Sequence, residues 1–245
     1  MRKRLDLALV ERGLAPTRSR ARDMILSGSV LIDNAVCTKP AAEVGAGHEL
    51  TLAPGIETGV SRAAAKLKAG IEAFRFDPEG LITLDVGAST GGFTEVLLAN
   101  GAAKVYAVDV GHDQLHTSLR SDPRVVSLEG CDARTLTASL VPDPVGAIVA
   151  DVSFISLQKA LPAALALAAP GAWLIALIKP QFEVGRENIG KGGIVRDPAA
   201  RETAVARVSD WLAQHAGWSV VGVVPSPIKG GSGNEEFLVG ARHDG

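Results

Sequence analysis

The spacing of hydrophobic positions changes part-way along the chain. In residues 1–60, Leu5, Leu9 and Val10 recur at helical spacing and Gly13 stands where such a helix stops. Thr17 can cap a second helix carrying Ala21, Met24 and Ile25, which ends at Gly28. The runs VLID and AVCTK around Asn34, then a β-like stretch to HELTL at 48–52, predict a small sheet against these helices. APGIETGVSRAAAKL at 53–67 holds Pro54, Gly55 and Gly59 before helix formers resume, and reads as a linker into a new helix. Beyond it LITLDV (81–86), KVYAVDV (104–110), VVSLEG (125–130), AIVADV (147–152), AWLIALI (172–178) and SVVGVV (219–224) are β-like, most of them separated by stretches of helical length. This alternation predicts an α/β chain with a mostly parallel sheet flanked by helices. A small α+β domain at 1–58 precedes the larger one at 59–245.

One stretch, 160–178, carries no charge and tests as a membrane span, which needs about 20 apolar residues. Pro162 and Pro170-Gly171 break it into an alanine-rich helical piece and a short strand, so no membrane partner is expected. The start MRKR is followed by Leu5, Asp6 and Glu11 rather than an apolar run, unlike a secretory signal. At 47% hydrophobic and 21% charged, the 245 residues have the composition of a chain that folds. Cys37 and Cys131 are too few for a disulfide scaffold or a cysteine-based zinc site. A reducing cytoplasm and no metal are expected.

The net charge of −2 hides a local excess, because residues 1–30 alone carry net +4. Arg18 and Arg22 are four apart and share a helix face, with Arg20 and Arg4 broadening the cationic surface. Such a surface suits phosphate, although a solvated helix face has the same composition. The whole pattern RLDLALVERGLAPTRSRARDMILSGSVLIDNAVCTKP resembles the small RNA-binding module named after ribosomal protein S4, over nearly all of the first 52 residues. Asp33-Asn34-Ala35 departs from the Asn-Gly turn common in that module.

LDVGASTGGF places Asp85 at the end of the first strand of the larger domain, then Gly87, Ser89, Gly91 and Gly92, and Phe93 where a helix resumes. Glycines at the carboxyl end of a strand let backbone approach a ligand closely. The spacing is neither the dinucleotide Gly-x-Gly-x-x-Gly nor a phosphate loop ending in Lys-Ser/Thr. With Asp109 closing the second strand and Asp132 after the third, it resembles the S-adenosylmethionine site of class I methyltransferases. That resemblance implies a Rossmann-like fold, Asp109 on the ribose hydroxyls and Asp132 near adenine. Ordinary strand-end capping is the other use for both acids.

Methyl transfer from a sulfonium is an in-line displacement, and the acceptor decides which residues are needed. After the fourth strand the chain reads ADVSFISL, without the proline pair of adenine amino-methylation, and no cysteine follows the fourth or fifth strand for attack on cytosine carbon. A ribose hydroxyl needs cations that favour its alkoxide. Lys179 ends the apolar strand in LIKPQFE and Asp151 ends the fourth, so they can pair, as a site or as a structural salt bridge.

SRAAAKL, LDVGASTGGF, ADVSFISL, IKPQFEVG and GNEEFLV, in that order, resemble the haemolysin-A-like (TlyA) family of ribosomal RNA 2′-O-methyltransferases, whose catalytic domain is akin to FtsJ. The resemblance implies a Lys-Asp-Lys-Glu tetrad at Lys66, Asp151, Lys179 and Glu236, with Glu235 the alternative glutamate. It also implies a cytidine 2′-hydroxyl in 23S and/or 16S RNA as substrate and ribosomal subunits as partner; a monomer is the expectation for the chain itself. The short end after FLVGARHDG leans the expectation toward the large subunit. Arg62, the basic loop FEVGRENIGKGGIVRD with Arg186, Lys191 and Arg196, and Lys229 are further candidates for RNA. An RNA-binding protein with a vestigial catalytic fold and a pore-forming haemolysin are the rival readings. Up to Lys68 the chain holds 11 basic and 7 acidic residues, and beyond it 14 and 20. The near-neutral total therefore averages a basic unit with an acidic one.

Overall fold

The chain divides into two units, Met1–Arg62 and Ala63–Gly245, in a computed structural model that describes residues 2–15, 18–26, 28–53, 61–230 and 233–245. The Thr17 cap and the 58/59 domain boundary expected from the sequence lie outside the described residues.

The first unit runs β1 (Lys3–Arg4), α1 (Leu5–Glu11), α2 (Arg18–Leu26), β2 (Val30–Ile32), β3 (Ala35–Val36), β4 (Glu43–Val44) and β5 (Leu50–Leu52). Strands β3, β2 and β5 form an antiparallel sheet, and β1 pairs with β4. Leu5 and Leu9 of α1 and Met24 and Ile25 of α2 are buried with Val30, Val44 and Leu50, so the helical spacing read from the sequence faces one small core. At the hairpin Ile32 opposes Ala35, and both connecting residues are left-handed, Asp33 at φ 50° and Asn34 at φ 65°. A two-residue turn that matches strand twist requires this, and Asp and Asn tolerate it better than other residues with a side chain. Asp33 Oδ1 also accepts the Glu49 amide at 2.8 Å, tying the turn to the strand beside it.

The second unit begins with α3 (Ala63–Phe74) and continues β6 (Ile82–Val86), α4 (Gly92–Ala99), β7 (Lys104–Asp109), α5 (Thr117–Arg120), β8 (Val125–Glu129) and β9 (Val145–Ala150). Then come α6 (Leu157–Ala160), α7 (Pro162–Leu165), β10 (Ala168–Ile178), α8 (Pro180–Glu183), α9 (Pro198–Gln214), β11 (Trp218–Pro225) and β12 (Phe237–His243). The sheet order is β11-β12-β10-β9-β6-β7-β8. Strands β10, β9, β6, β7 and β8 are parallel to their neighbours, and β12 runs antiparallel between β10 and β11. The order reverses between β6 and β9, which opens a crevice at their carboxyl ends, the usual ligand position in such sheets.

Six β-like runs were read from the sequence, and β12 is a seventh strand that they leave out. Gly240 and Arg242 interrupt its apolar character, yet its middle is buried between two neighbours. The alanine-rich helical piece is two single turns, α6 and α7, because Pro162 lacks the amide to continue α6 and instead starts α7. Strand β10 begins at Ala168 and passes through the exposed Pro170-Gly171. Among the described residues no helix is long and apolar enough to cross a membrane.

Candidate active site

Strand β6 ends in the turn that the glycines shape. Gly87 stands at φ 85°, and a Cβ there would lie 2.6 Å from the Asp151 carbonyl oxygen, so only glycine fits between β6 and β9. Gly91, at φ 98°, starts α4, where a Cβ would strike Leu119. Between them Ser89 is left-handed despite its side chain (φ 49°). Asp109, at the end of β7, holds it there: Oδ2 accepts the Ser89 amide at 2.8 Å and Oδ1 the Gly111 amide at 2.7 Å. The Gly87 and Ala88 amides donate to Val108 O.

Asp85 and Phe93 lie beneath this turn, buried. The Thr94 hydroxyl donates to Asp85 Oδ2 at 2.7 Å, while Oδ1 is buried with no hydrogen-bond partner among the described residues. Burial pushes the Asp85 carboxyl up to about 7, and the Thr94 hydroxyl only partly opposes it. Asp132 follows β8 and caps a short 3-10 turn, Ala133–Thr135, by accepting the Arg134 amide at 2.9 Å. The Arg134 guanidinium lies on the same carboxylate and pulls it down to about 2. Asp109 thus shapes the turn, whereas Asp132 points its charge at Arg134 in the capping role. The residues present fit a nucleoside-bearing cofactor: a cradle that only glycine can form, with an acid on its rim and the exposed Val110 beside it.

The four tetrad candidates come together in two pairs, two of them at the carboxyl ends of β9 and β10, one at the start of β12 and one on α3. Asp151 follows β9 and Lys179 follows β10, and Lys179 Nζ lies 2.6 Å from Asp151 Oδ1. Lys179 also donates to Ser153 Oγ at 2.8 Å. Ile178 pairs with Phe237 across β10 and β12, which brings Glu236 alongside Lys179 in register. From α3 Lys66 Nζ donates to Glu236 Oε2 at 2.6 Å, and both residues are buried. The opposite oxygen of Glu236 packs on Gly230, where a Cβ would collide with it. Glu235 turns outward, to Arg201 at 2.9 Å and Lys229 at 3.8 Å.

Several residues around these pairs were not singled out from the sequence. Phe154 is 91% exposed at φ 65°, with its ring 5.2 Å from that of Phe182. Left-handed backbone in a bulky residue gathers at functional sites. Its one sequence signal is an aromatic among small residues directly after a strand. Glu183 is buried and accepts the Leu157 amide at 2.8 Å, which joins the start of α6 to α8; burial raises its carboxyl above the usual range. Asn234 is buried, accepts the Val195 amide at 2.9 Å and donates to Gly193 O at 2.9 Å. It fastens the glycine-rich basic loop to the segment carrying Glu236.

Of the RNA-binding candidates, Arg186 and Lys191 are exposed in that loop, and Arg62 is half-buried. In the first unit Arg22 is exposed on α2, the Arg20 side chain lies outside the description, and Arg4 and Arg18 both bond to the buried Asp6. Among the described residues no group of His, Cys, Asp and Glu is arranged to hold a metal ion.

Residues 59–243 match the FtsJ-like methyltransferase family and residues 3–50 match the S4 domain. The 16S/23S rRNA (cytidine-2′-O)-methyltransferase TlyA of Mycobacterium tuberculosis is 48% identical over 98% of this chain and 90% of its own length. A Streptococcus thermophilus structure described as a haemolysin aligns at a TM-score of 0.77 and 40% identity, over 99% of this chain and 88% of that one. An O-methyltransferase of Bacillus cereus in complex with SAH shares the fold of the second unit, with a TM-score of 0.51 at 18% identity over 75% of this chain and 78% of its own.

Proposed function

The chain belongs to the haemolysin-A-like (TlyA) family of FtsJ-like methyltransferases, and from that premise we propose the reaction and the residues that carry it. The protein is a ribosomal RNA methyltransferase that uses S-adenosylmethionine and modifies a cytidine ribose 2′-hydroxyl in 16S or 23S RNA. It works in the cytoplasm, as a monomer, on ribosomal subunits. The observation that carries this reading is the Lys179–Asp151 contact at the open end of the sheet, directly beside the Gly87 cradle.

When bound, S-adenosylmethionine supplies a sulfonium methyl open to in-line displacement. The turn from Gly87 to Gly91 would hold it with Asp109, and Asp132 would lie on the rim. An ammonium has three donors. Ser153 engages one of those of Lys179 and Asp151 pairs with its charge, which leaves donors for the ribose oxygen. Lys179 thereby orients the hydroxyl and stabilises the negative charge that develops on its oxygen as its proton passes to solvent, while Asp151 holds the ammonium in place. Lys66 and Glu236, a buried ion pair alongside Lys179 in the strand register, would flank it. The exposed ring of Phe154 offers a face on which the cytosine base can stack. Arg186 and Lys191 add cationic contacts to the RNA backbone.

The site of methylation is tested by alkaline hydrolysis of RNA from subunits treated with the enzyme and radiolabelled cofactor. A 2′-O-methyl group blocks cleavage at its own linkage, so the label is expected in one alkali-stable dinucleotide beginning with methylated cytidine. Label recovered on a free base-modified mononucleotide would overturn the assignment.

A further inference from the structure

In the first unit a buried acid joins two arginines that the sequence keeps apart. Asp6, in the first turn of α1, is fully buried, a position that an aspartate takes only with partners. Arg4 donates from Nε to Oδ1 and from Nη2 to Oδ2, both at 3.0 Å. Arg18 donates from Nε to the same Oδ2, also at 3.0 Å. Arg4 Nη2 and Arg18 Nε are therefore no more than about 6 Å apart, the reach of two such bonds through one oxygen. Both side chains remain half exposed, at 43% and 53%. Each guanidinium has five N–H donors, and the bonds to Asp6 use two from Arg4 and one from Arg18.

We propose that Asp6 is a positioning residue that sets Arg4 and Arg18 side by side as a clamp for one phosphate of ribosomal RNA. Two guanidinium groups so close repel each other, and a single carboxylate between them offsets that repulsion while leaving a net positive charge facing outward. Planar forks held in place match phosphate oxygens with less ordering on binding than free arginines would need. The Arg4 guanidinium beside it holds the Asp6 carboxyl down to about 2, so the arrangement persists throughout the neutral range. The proposal rests on reading this unit as the RNA-binding one.

The clamp makes a forecast opposite in sign to that of net charge. Asp6→Asn removes a negative charge from an RNA-binding unit, which by long-range electrostatics alone strengthens binding. With the clamp, it weakens binding. The test measures retention of the full-length protein on purified large ribosomal subunits across a salt series, with folding followed by circular dichroism. Asp6→Asn is expected to bind roughly tenfold more weakly, with a shallower salt dependence. Glu11→Gln, which removes an exposed acid paired to Lys3, is expected to bind as tightly as wild type or tighter. The double variant Arg4→Lys with Arg18→Lys keeps every charge and loses both forks; it too is expected to bind about tenfold more weakly, and it decides alone if Asp6→Asn does not fold. Wild-type affinity in either folded variant overturns the clamp. Wild-type protein that fails to bind subunits at all overturns instead the RNA-binding reading on which it rests.

Discussion

Asp85 occupies a position that works against its own charge. It is fully buried in β6 and its second oxygen has no hydrogen-bond partner among the described residues, so its carboxyl is pushed up to about 7 from the ordinary 3.8. Between those two values the native state keeps a proton that the unfolded chain has released. Stability therefore falls as pH rises through that window, and the whole penalty is present above pH 7. At about 1.4 kcal/mol per pH unit, the penalty is on the order of a few kcal/mol. Asp85→Asn keeps an oxygen that accepts from Thr94 and cannot ionise. Its melting temperature is expected to exceed that of wild type by a gap that widens from pH 4 to pH 7 and then stays constant. A gap independent of pH would refute the assignment. At this scale the sequence named the chemical groups and paired Lys179 with Asp151, but it did not pair Lys66 with Glu236. Lys66 and Glu236 are 170 positions apart and meet at 2.6 Å, whereas the neighbouring Glu235 pairs with Arg201, in line with the motif's choice of Glu236. Asp6 looked like one acid diluting a basic segment, because burial is not visible in a count of charges.

Among the elements, the β6 turn concentrates the constraints. Its glycine separates β6 from the Asp151 carbonyl, so an added methyl at Gly87 displaces either the turn or the end of β9 that carries Asp151. Gly87→Ala is expected to keep the sheet, as read by far-ultraviolet circular dichroism, and to weaken S-adenosylmethionine binding at least about tenfold by calorimetry. Unchanged affinity would remove the turn from the cofactor site. The turn and the parallel strands were legible because β7 and β9 carry near-continuous apolar runs ending at aspartate, the signature of strands buried on both faces, and β6 runs directly into its glycine turn. Strand β12 was not, since it is antiparallel, contains Gly240 and Arg242, and owes its place to pairing with β10 and β11 rather than to its own pattern. The role of Asn234 was equally hidden, because its two bonds reach a loop about forty positions away.

In the whole molecule, charge follows the division of labour. The first unit, Met1–Arg62, holds 9 basic and 7 acidic residues and the second holds 16 and 20, so the chain joins a slightly basic RNA-binding unit to an acidic catalytic one. Long-range attraction to a ribosomal subunit is therefore expected to concentrate at one end of the sequence, and the proposed function has the catalytic unit use local cations such as Arg186 and Lys191. The proposed chemistry then depends on one ammonium held between Asp151 and Ser153. The most direct measurement is transfer of tritium from methyl-labelled S-adenosylmethionine to purified ribosomal subunits, comparing wild type with Lys179→Ala. Wild type is expected to label ribosomal RNA, and Lys179→Ala, still folded and still bound to subunits, to do so at least roughly a hundredfold more slowly, as for removal of a charge-stabilising donor. Wild-type rates in the variant, or no label on RNA from wild type, would contradict the account.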